Sequence, residues 1–323
     1  MKNKFIKSLI AIGIITQLGF CSTVSAQENP SISNSNVTLK SREIFIDSLP
    51  KEQQELVENE SGEIVAEDYD FFEYKINDSG KEKIKELKEK TKNNEKIQEK
   101  DLLNASDYTV INSSLEKFEE SRKNEVRSQL GLNNNLLKSS RPYEVAPGVW
   151  INEDLNNAVV MHGIKVIRNS SNNRIFTAKS SFTWSRTPNF NTTDAVGITC
   201  SPNMVILSGT MKAYAQAFIP VANNPTLVVD ILKEGPLVDP NGLGVAASVS
   251  VKGAAEYNTG YVQSDVQFSD TSSDIGLITS EYLSKTISIS DSLSFDLKGR
   301  PSIGFESTSN RYSKAVNIYK YNN

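Results

Sequence analysis

The chain has 323 residues, of which 38% are hydrophobic and 23% are charged, and its formal net charge is −4. These values are typical of a globular protein with one large or two medium domains. They exclude a nucleic-acid-binding protein of the usual kind, because neither half of the chain carries a basic stripe.

Charged and aromatic residues divide the chain near Ser139–Pro142. Gln27–Ser140 holds 24 acidic and 17 basic residues but 7 aromatic ones, whereas Arg141–Asn323 holds 15 of each charge and 17 aromatic residues. We therefore expect an acidic pro-region or stalk at 27–140, either mostly helical α/β or partly disordered, and a β domain at 141–323. The polar segment Asn133–Ser140 is the expected processing site if the front region is a propeptide, and otherwise an interdomain linker.

Met1–Ala26 has the pattern of a secretory signal peptide. Three lysines precede the apolar run Ser8–Phe20, and small residues at 24–26 form the cleavage site. The pattern predicts a secreted, extracellular protein, and the abundance of Asn, Lys and Ile favours a bacterial source. Removal of the signal peptide would leave Cys200 as the single cysteine, which excludes an intramolecular disulfide.

The sequence pattern of the front region, 27–140, predicts three helices and one strand. The helices are expected at Arg42–Asn59, Ser79–Lys100 and Ser113–Leu130, the second of them with a capping box formed by Ser79 and Glu82. The aromatic run Asp68–Ile76 predicts the strand.

From Tyr143 onward the pattern is that of short β-strands separated by turns. In Gly244–Gly253 the apolar residues fall on alternate positions, as in a strand with one buried face. About ten such strands with no long helical pattern predict an antiparallel sandwich or barrel. The candidate strands are Val149–Asn152, Ala158–Ile167, Ile175–Trp184, Ala195–Cys200, Met204–Ile219, Thr226–Leu232, Leu243–Lys252, Tyr261–Phe268, Tyr282–Ser290, Ser292–Leu297, Ser302–Glu306 and Ala315–Tyr321.

The histidine content limits the possible chemistry. His162 is the single histidine, so every site that needs two histidines is excluded. His162 and Cys200 are weak candidates for a Cys–His dyad, although each fits a buried structural position better. Paired carboxylates could still serve a glycosidase. The candidate carboxylates for a glycosidase are Glu153, Asp154, Asp230, Glu234, Asp265, Asp270 and Asp274. The sequence predicts no cofactor other than calcium.

Two kinds of binding site are predicted. Oxygen-rich loops suggest a calcium site, although Asx-rich loops are usually ordinary turns. Aromatic residues suggest a platform for a glycan or a cell wall, although core packing explains such residues more often. The calcium candidates are Glu153, Asp154, Asp239, Asn241, Asp270 and Asp274, and the platform candidates are Trp150, Trp184, Tyr257 and Tyr261.

Three functions fit these observations. The first, which we favour, is a secreted non-catalytic β-sandwich that binds a surface, a glycan or a protein. The second is a pore-forming toxin with an N-terminal pro-region, in which a hairpin such as Val245–Phe268 enters the membrane. The third is an extracellular hydrolase. A membrane partner is expected only for the toxin, and a nucleic-acid partner for none.

Overall fold

Alternating apolar and small polar residues produce two antiparallel sheets that pack face to face. The structure is a computed structural model that describes residues 62–118, 120, 143–146, 149–151, 157–169, 172, 174–185, 191–219, 227–253, 257–269, 273–285, 293–295, 301–303 and 309–320. Its helix α1 is Asp78–Lys92, and Glu99–Asp101 and Ala105–Asp107 are 3₁₀ turns. Residues 115–118 are also helical. The strands are β1 Glu63–Ile76, β2 Tyr108–Asn112, β3 Tyr143–Ala146, β4 Val149–Ile151, β5 Asn157–Arg168, β6 Ile175–Trp184, β7 Thr192–Cys200, β8 Met204–Ile206, β9 Lys212–Ile219, β10 Leu227–Asp230, β11 Leu232–Val238, β12 Gly244–Val251, β13 Tyr257–Phe268, β14 Ile275–Lys285, β15 Leu293–Phe295, β16 Pro301–Ile303 and β17 Ser309–Tyr319.

Among the described residues, the larger sheet has eight strands and the smaller sheet has five. In the larger sheet the order is β10-β9-β13-β6-β5-β1-β2, with β8 also paired to β13, and in the smaller sheet it is β11-β12-β7-β14-β17. Two further pairs, β3 with β4 and β15 with β16, form separate two-stranded sheets. The prediction of a mainly β, antiparallel structure is confirmed, and the two facing sheets make it a sandwich.

The front region contributes strands to the larger sheet. β1 pairs with β5 from Glu63 opposite Arg168 to Lys75 opposite Asn157, and β2 pairs with the other edge of β1. The compositional border near Ser139–Pro142 therefore does not divide the described residues into two sheets. The predicted strand Asp68–Ile76 is present and begins earlier, at Glu63.

Helix α1 begins and ends earlier than the sequence predicted. Asn77, rather than Ser79, is the N-cap, since its side chain accepts a hydrogen bond from the Gly80 backbone N–H at 3.0 Å. The Ser79 hydroxyl instead donates to Asp107, a carboxylate that also pairs with Lys83 at 2.8 Å. Among the described residues, no helix is both long enough and apolar enough to cross a membrane. The predicted helix at Arg42–Asn59 and the signal peptide lie outside the described residues.

The core lies between the two sheets. Inward-facing residues of both sheets form one continuous apolar cluster, which removes much of their surface from water and so favours folding. Its largest fully buried side chains include Trp184, Tyr74, Tyr282, Phe176 and Phe182.

In this structure Val245–Phe268 does not form a hairpin. β12 pairs with β7 and β11 in the smaller sheet, whereas β13 pairs with β6, β8 and β9 in the larger sheet. The two strands therefore lie in opposite layers of the sandwich. Alternation predicted both strands, but it carries no information about which strand each would pair with.

Candidate functional site

His162 lies on β5 and is completely buried between the sheets. Its Nε2 atom is 2.6 Å from the Ser280 hydroxyl on β14, which also lies 2.5 Å from the Ser180 hydroxyl. Burial, together with the charge of Lys314, lowers the pKa of His162 to about 3. The imidazole is therefore neutral near pH 7 and joins the two sheets, so it does not face an external substrate.

Cys200 ends β7 and is also buried. Burial, with the charge of Asp239 adding to it, raises the pKa of the Cys200 thiol to about 12. Only the thiolate is a good nucleophile, and it is almost absent at neutral pH with such a pKa. Nε2 of His162 faces Ser280 and its Nδ1 has no hydrogen-bond partner among the described residues, so the described geometry does not assemble the Cys–His dyad.

Asp239 uses its carboxylate within a turn. One oxygen of Asp239 accepts the backbone N–H groups of Asn241 at 3.0 Å and Leu243 at 3.3 Å. No group of three His, Cys, Asp or Glu side chains in the described part of the chain could hold a metal ion. Asp274 is described and exposed. The other calcium candidates, Glu153, Asp154 and Asp270, lie outside the described residues, so calcium binding stays a prediction.

Trp184 belongs to the core and not to a surface platform. It is 1% exposed, and its indole N–H donates to the Tyr282 hydroxyl at 2.9 Å. Tyr282 in turn donates to the buried Asp194 carboxylate. Burial first, and then the charge of Asp194, raises the pKa of Tyr282, so its phenol stays protonated and can serve as that donor. This network fixes side chains from β6, β7 and β14 in one arrangement.

The remaining platform candidates differ in position. Tyr261 is half-buried on β13 and faces away from the smaller sheet, since its neighbours Val262 and Ser264 are fully buried on the opposite side of the strand. Trp150 lies on β4 and Tyr257 begins β13, but their side chains lie outside the description.

The outer face of the larger sheet is the side that points away from the smaller sheet. Strand register places five residues of the outer face in one line, which includes Tyr261 and runs across β9, β13, β6, β5 and β1. We call this line the tyrosine row. Its members, in order, are Tyr214, Tyr261, Ser181, Gly163 and Tyr69.

The tyrosine row has aromatic ends and a small middle. The rings of Tyr214 and Tyr261 stack with their centroids 5.7 Å apart and their planes 30° apart. At the other end the Tyr69 ring lies over Gly163, so closely that an added Cβ at Gly163 would overlap Tyr69 Cδ1. Ser181 and Gly163, in the middle of the row, carry little side-chain volume and are buried, so the partly exposed rings of Tyr214 and Tyr261 are the accessible end of the row.

A line of mainly basic residues borders the tyrosine row on one side. Lys179 places its ammonium 4.0 Å from the centre of the Tyr261 ring, within the range of a cation–π interaction. Lys212 is exposed, whereas Lys165 and Lys179 are each 5% exposed. This lysine row consists, in order, of Lys212, Gln263, Lys179, Lys165 and Glu67.

The line on the other side is polar near the Tyr214 end and apolar near the Tyr69 end. Thr183 and Thr259 share a hydrogen bond of 2.9 Å between their hydroxyls. Phe71 packs on Phe118 with ring centroids 5.7 Å apart, so the helical residues 115–118 contact this end of the face. This third line, on the side of the tyrosine row opposite the lysine row, consists in order of Gln216, Thr259, Thr183, Met161 and Phe71.

Of the platform candidates, the structure places Tyr261 on this face and Trp184 in the core. Sequence reasoning missed Tyr214, Lys179 and Tyr69. Alternation in Lys212–Ile219 already groups Lys212, Tyr214 and Gln216 on one side of a strand. It could not indicate that Tyr214 lies opposite Tyr261, because register depends on tertiary pairing.

No family model matches the sequence, and no curated protein matches it. Among solved structures, it is similar to the collagen-binding domain of a Staphylococcus aureus adhesin, with 5% identity and a TM-score of 0.27, over 47% of this chain and 95% of that one. It is also similar to the collagen-binding subdomain of the Enterococcus faecalis surface protein ACE, with 5% identity and a TM-score of 0.24. That match covers 43% of this chain and 86% of the other chain. A pore forming protein matches with 8% identity and a TM-score of 0.24, and the match covers 52% of this chain and 95% of the other chain. Similarity at this level assigns no function.

Proposed function

We propose that the protein is a secreted, non-catalytic β-sandwich that binds a glycan through the outer face of its larger sheet. The observation that carries the proposal is the half-buried Tyr214–Tyr261 pair with Lys179 over one ring. An aromatic face offers an apolar, weakly negative surface against which the C–H groups of a sugar ring pack. Secretion rests on the pattern of Met1–Ala26.

The bordering rows supply the polar contacts that a glycan needs. Gln263 and Gln216 flank the tyrosine pair along the strands and are only partly buried, and each side-chain amide can both donate to and accept from sugar hydroxyls. The exposed Lys212 adds a cation at the border. Ser181, Thr183 and Thr259 beside the pair are buried, so the accessible part of the face is the tyrosine pair with its neighbouring glutamines and Lys212. A surface patch of this kind suits a carbohydrate chain better than a deeply enclosed small molecule.

The hydrolase alternative receives no support from its two weak candidates for a Cys–His dyad. His162 is neutral and enclosed, and the Cys200 thiol is protonated and buried. Binding without catalysis is therefore the better account of the described residues.

The test is binding of the purified chain to an array of cell-surface glycans, with titration of each ligand found. Tyr261→Ala and Tyr214→Ala should each weaken binding about tenfold, since an aromatic contact contributes on the order of 1 kcal/mol. Tyr319→Ala is the matched control, because Tyr319 is 57% exposed on the other sheet and should leave affinity unchanged. The proposal fails if no glycan binds, or if all three variants bind equally well.

A further inference from the structure

Polar contacts hold the two sheets together on the side where β17 faces β1. Among the described residues β17 is the last strand of the smaller sheet, and β1 lies across from it in the larger sheet. The Lys314 ammonium on β17 lies 2.8 Å from the Asp70 carboxylate and 3.1 Å from the Asp68 carboxylate, both on β1. We call this contact between β17 and β1 the seam.

His162 lies directly behind the seam. It stands opposite Asp70 in the β1–β5 ladder, and its side chain is completely buried. The side chain of Asp70 is 39% exposed and that of Lys314 is 22% exposed. Only strand β1 therefore separates the imidazole from the place where the ion pair meets solvent.

The hydrogen bonds of Ser280 indicate which ring nitrogen carries the proton of neutral His162. The Ser280 hydroxyl donates to the Gly163 carbonyl oxygen at 3.0 Å, and a hydroxyl has one hydrogen to donate. The donor in the 2.6 Å contact between the ring and Ser280 is then Nε2–H. Nδ1 keeps its lone pair and has no hydrogen-bond partner among the described residues, so it is the atom that takes up a second proton.

A proton on Nδ1 puts a cation into an enclosed site beside the cation of Lys314. Burial, together with that charge, lowers the pKa of His162 to about 3. The other titratable side chains that point inward around the ring are Asp70 and Asp68 on β1, Tyr282 on β14, Tyr312 on β17 and, beyond Tyr282, Asp194 on β7. Lys314 already holds the carboxylates on β1, and Tyr282 holds Asp194. The protonated ring therefore gains a favourable environment only when water enters.

We propose that the seam opens reversibly in acid and that His162 is the proton sensor that opens it. Protonation of Nδ1 admits water between β1 and β17, which breaks the bridge from Lys314 to Asp70, and the seam closes again when the proton leaves. β1 stays paired with β5 along its length, so the opening is local. This device goes beyond glycan binding and does not use Tyr214 or Tyr261, so either proposal can fail without the other.

The size of the effect follows from linkage. In the open form the ring titrates near its ordinary pKa of 6.5, and in the closed form its pKa is about 3, so a fall in pH between these values favours the open form. The equilibrium constant for opening should rise about 25-fold from pH 7 to pH 5. Above pH 6.5 it should not change with pH.

The experiment measures labelling of a cysteine that replaces Val160, which is completely buried on β5, two residues from His162. At each pH the labelling rate of native protein is divided by that of unfolded protein, which removes the intrinsic pH dependence of the thiol. For Val160→Cys this ratio should rise about 25-fold from pH 7 to pH 5. At pH 5 it should exceed the ratio for Cys200 about tenfold, because β14 lies between Cys200 and β17 and a local opening does not reach it. Equal ratios for the two thiols, or no rise in acid, would overturn the proposal.

Two variants in the Val160→Cys background identify the sensor. His162→Gln should lose most of the rise, whereas Asp70→Asn should open more often at both pH values and keep the rise, because its imidazole still titrates. A rise that survives in His162→Gln and disappears in Asp70→Asn would assign the sensor to the carboxylate. The pH profile of Val160→Cys alone is decisive if either variant fails to fold. A ratio that begins to rise near pH 6.5 supports the imidazole, and one that rises only below about pH 5 contradicts it.

Discussion

The phenolic oxygens of Tyr74 and Tyr312 lie 2.7 Å apart in the core, although the two residues are 238 positions apart in the chain. Tyr74 is on β1 and Tyr312 is on β17, so the bond joins the front region to the last described strand. At the rim of the same contact, the Lys314 ammonium on β17 donates to Asp70 on β1 at 2.8 Å. The front region thus contributes strands to the larger sheet and contacts the edge strand of the smaller one.

Cleavage between the front region and the rest should therefore leave the two pieces together. We expect a protease site inserted at Asn135-Leu136 to give two fragments that co-elute in gel filtration, because β1 remains hydrogen bonded along β5. Urea should separate the fragments. Uncut protein is the control. Separation of the fragments in native buffer would show that the front region is a detachable propeptide.

Stability should fall in acid because of His162. Its folded-state pKa of about 3 lies below the ordinary value of 6.5, so the unfolded chain binds the proton more readily between these values. The contribution of the neutral ring is complete above pH 6.5 and is lost as the pH falls toward 3. Between pH 7 and pH 5 the free energy of unfolding should drop by about 2 kcal/mol from this group.

The measurement is urea unfolding of wild type and two variants at both pH values. His162→Gln should be less stable at pH 7 but should lose less stability on acidification than wild type. Ser280→Ala keeps the imidazole while removing its hydrogen-bond partner, and it should retain the pH dependence. Equal pH dependence in wild type and His162→Gln would contradict the assignment. Lys314 and Asp70, which also face this part of the core, are unchanged in both variants.

Alternation predicted most strands because it depends only on local sequence. Ile175–Trp184 was predicted with the bounds observed, and Asn157–Arg168 within one residue at each end. The stretch Met204–Ile219 was predicted as one strand but contains two, β8 and β9. Residues 207–211 lie between them, and Gly209 there has a φ of 86°, outside the extended region of a regular strand.

Positions that depend on distant partners could not be predicted. Trp184 is of a residue type that is common in aromatic binding platforms. Its indole N–H donates to the hydroxyl of Tyr282, 98 positions away, and this hydrogen bond allows the side chain to be buried. Asn77 replaced Ser79 as the helix cap because the Asp107 carboxylate lies within reach of the Ser79 hydroxyl. The tyrosine row requires the register of five strands, which no local pattern supplies.

The thiol of Cys200 should be unreactive in the native protein. Its pKa, raised to about 12 by burial and by Asp239, leaves almost no thiolate at pH 8. A thiol reagent such as a maleimide should therefore label native protein at least a hundredfold more slowly than protein in guanidinium chloride. Cys200→Ala gives the background signal. Rapid labelling of the folded chain would mean that the thiol is accessible and would reopen the nucleophile hypothesis.

The contact between Gly163 and Tyr69 should show energetic coupling. An added Cβ at Gly163 would overlap the Tyr69 ring and come within 2.7 Å of the Asp68 backbone oxygen, so Gly163→Ala must displace the ring or separate β1 from β5. We expect a loss of about 1–3 kcal/mol in the free energy of unfolding, as for other overpacked sites. In a Tyr69→Ala background the same substitution should cost less, because only the backbone contact remains. Urea unfolding of all four chains completes the double-mutant cycle, and additive effects would show that Tyr69 does not lie over Gly163.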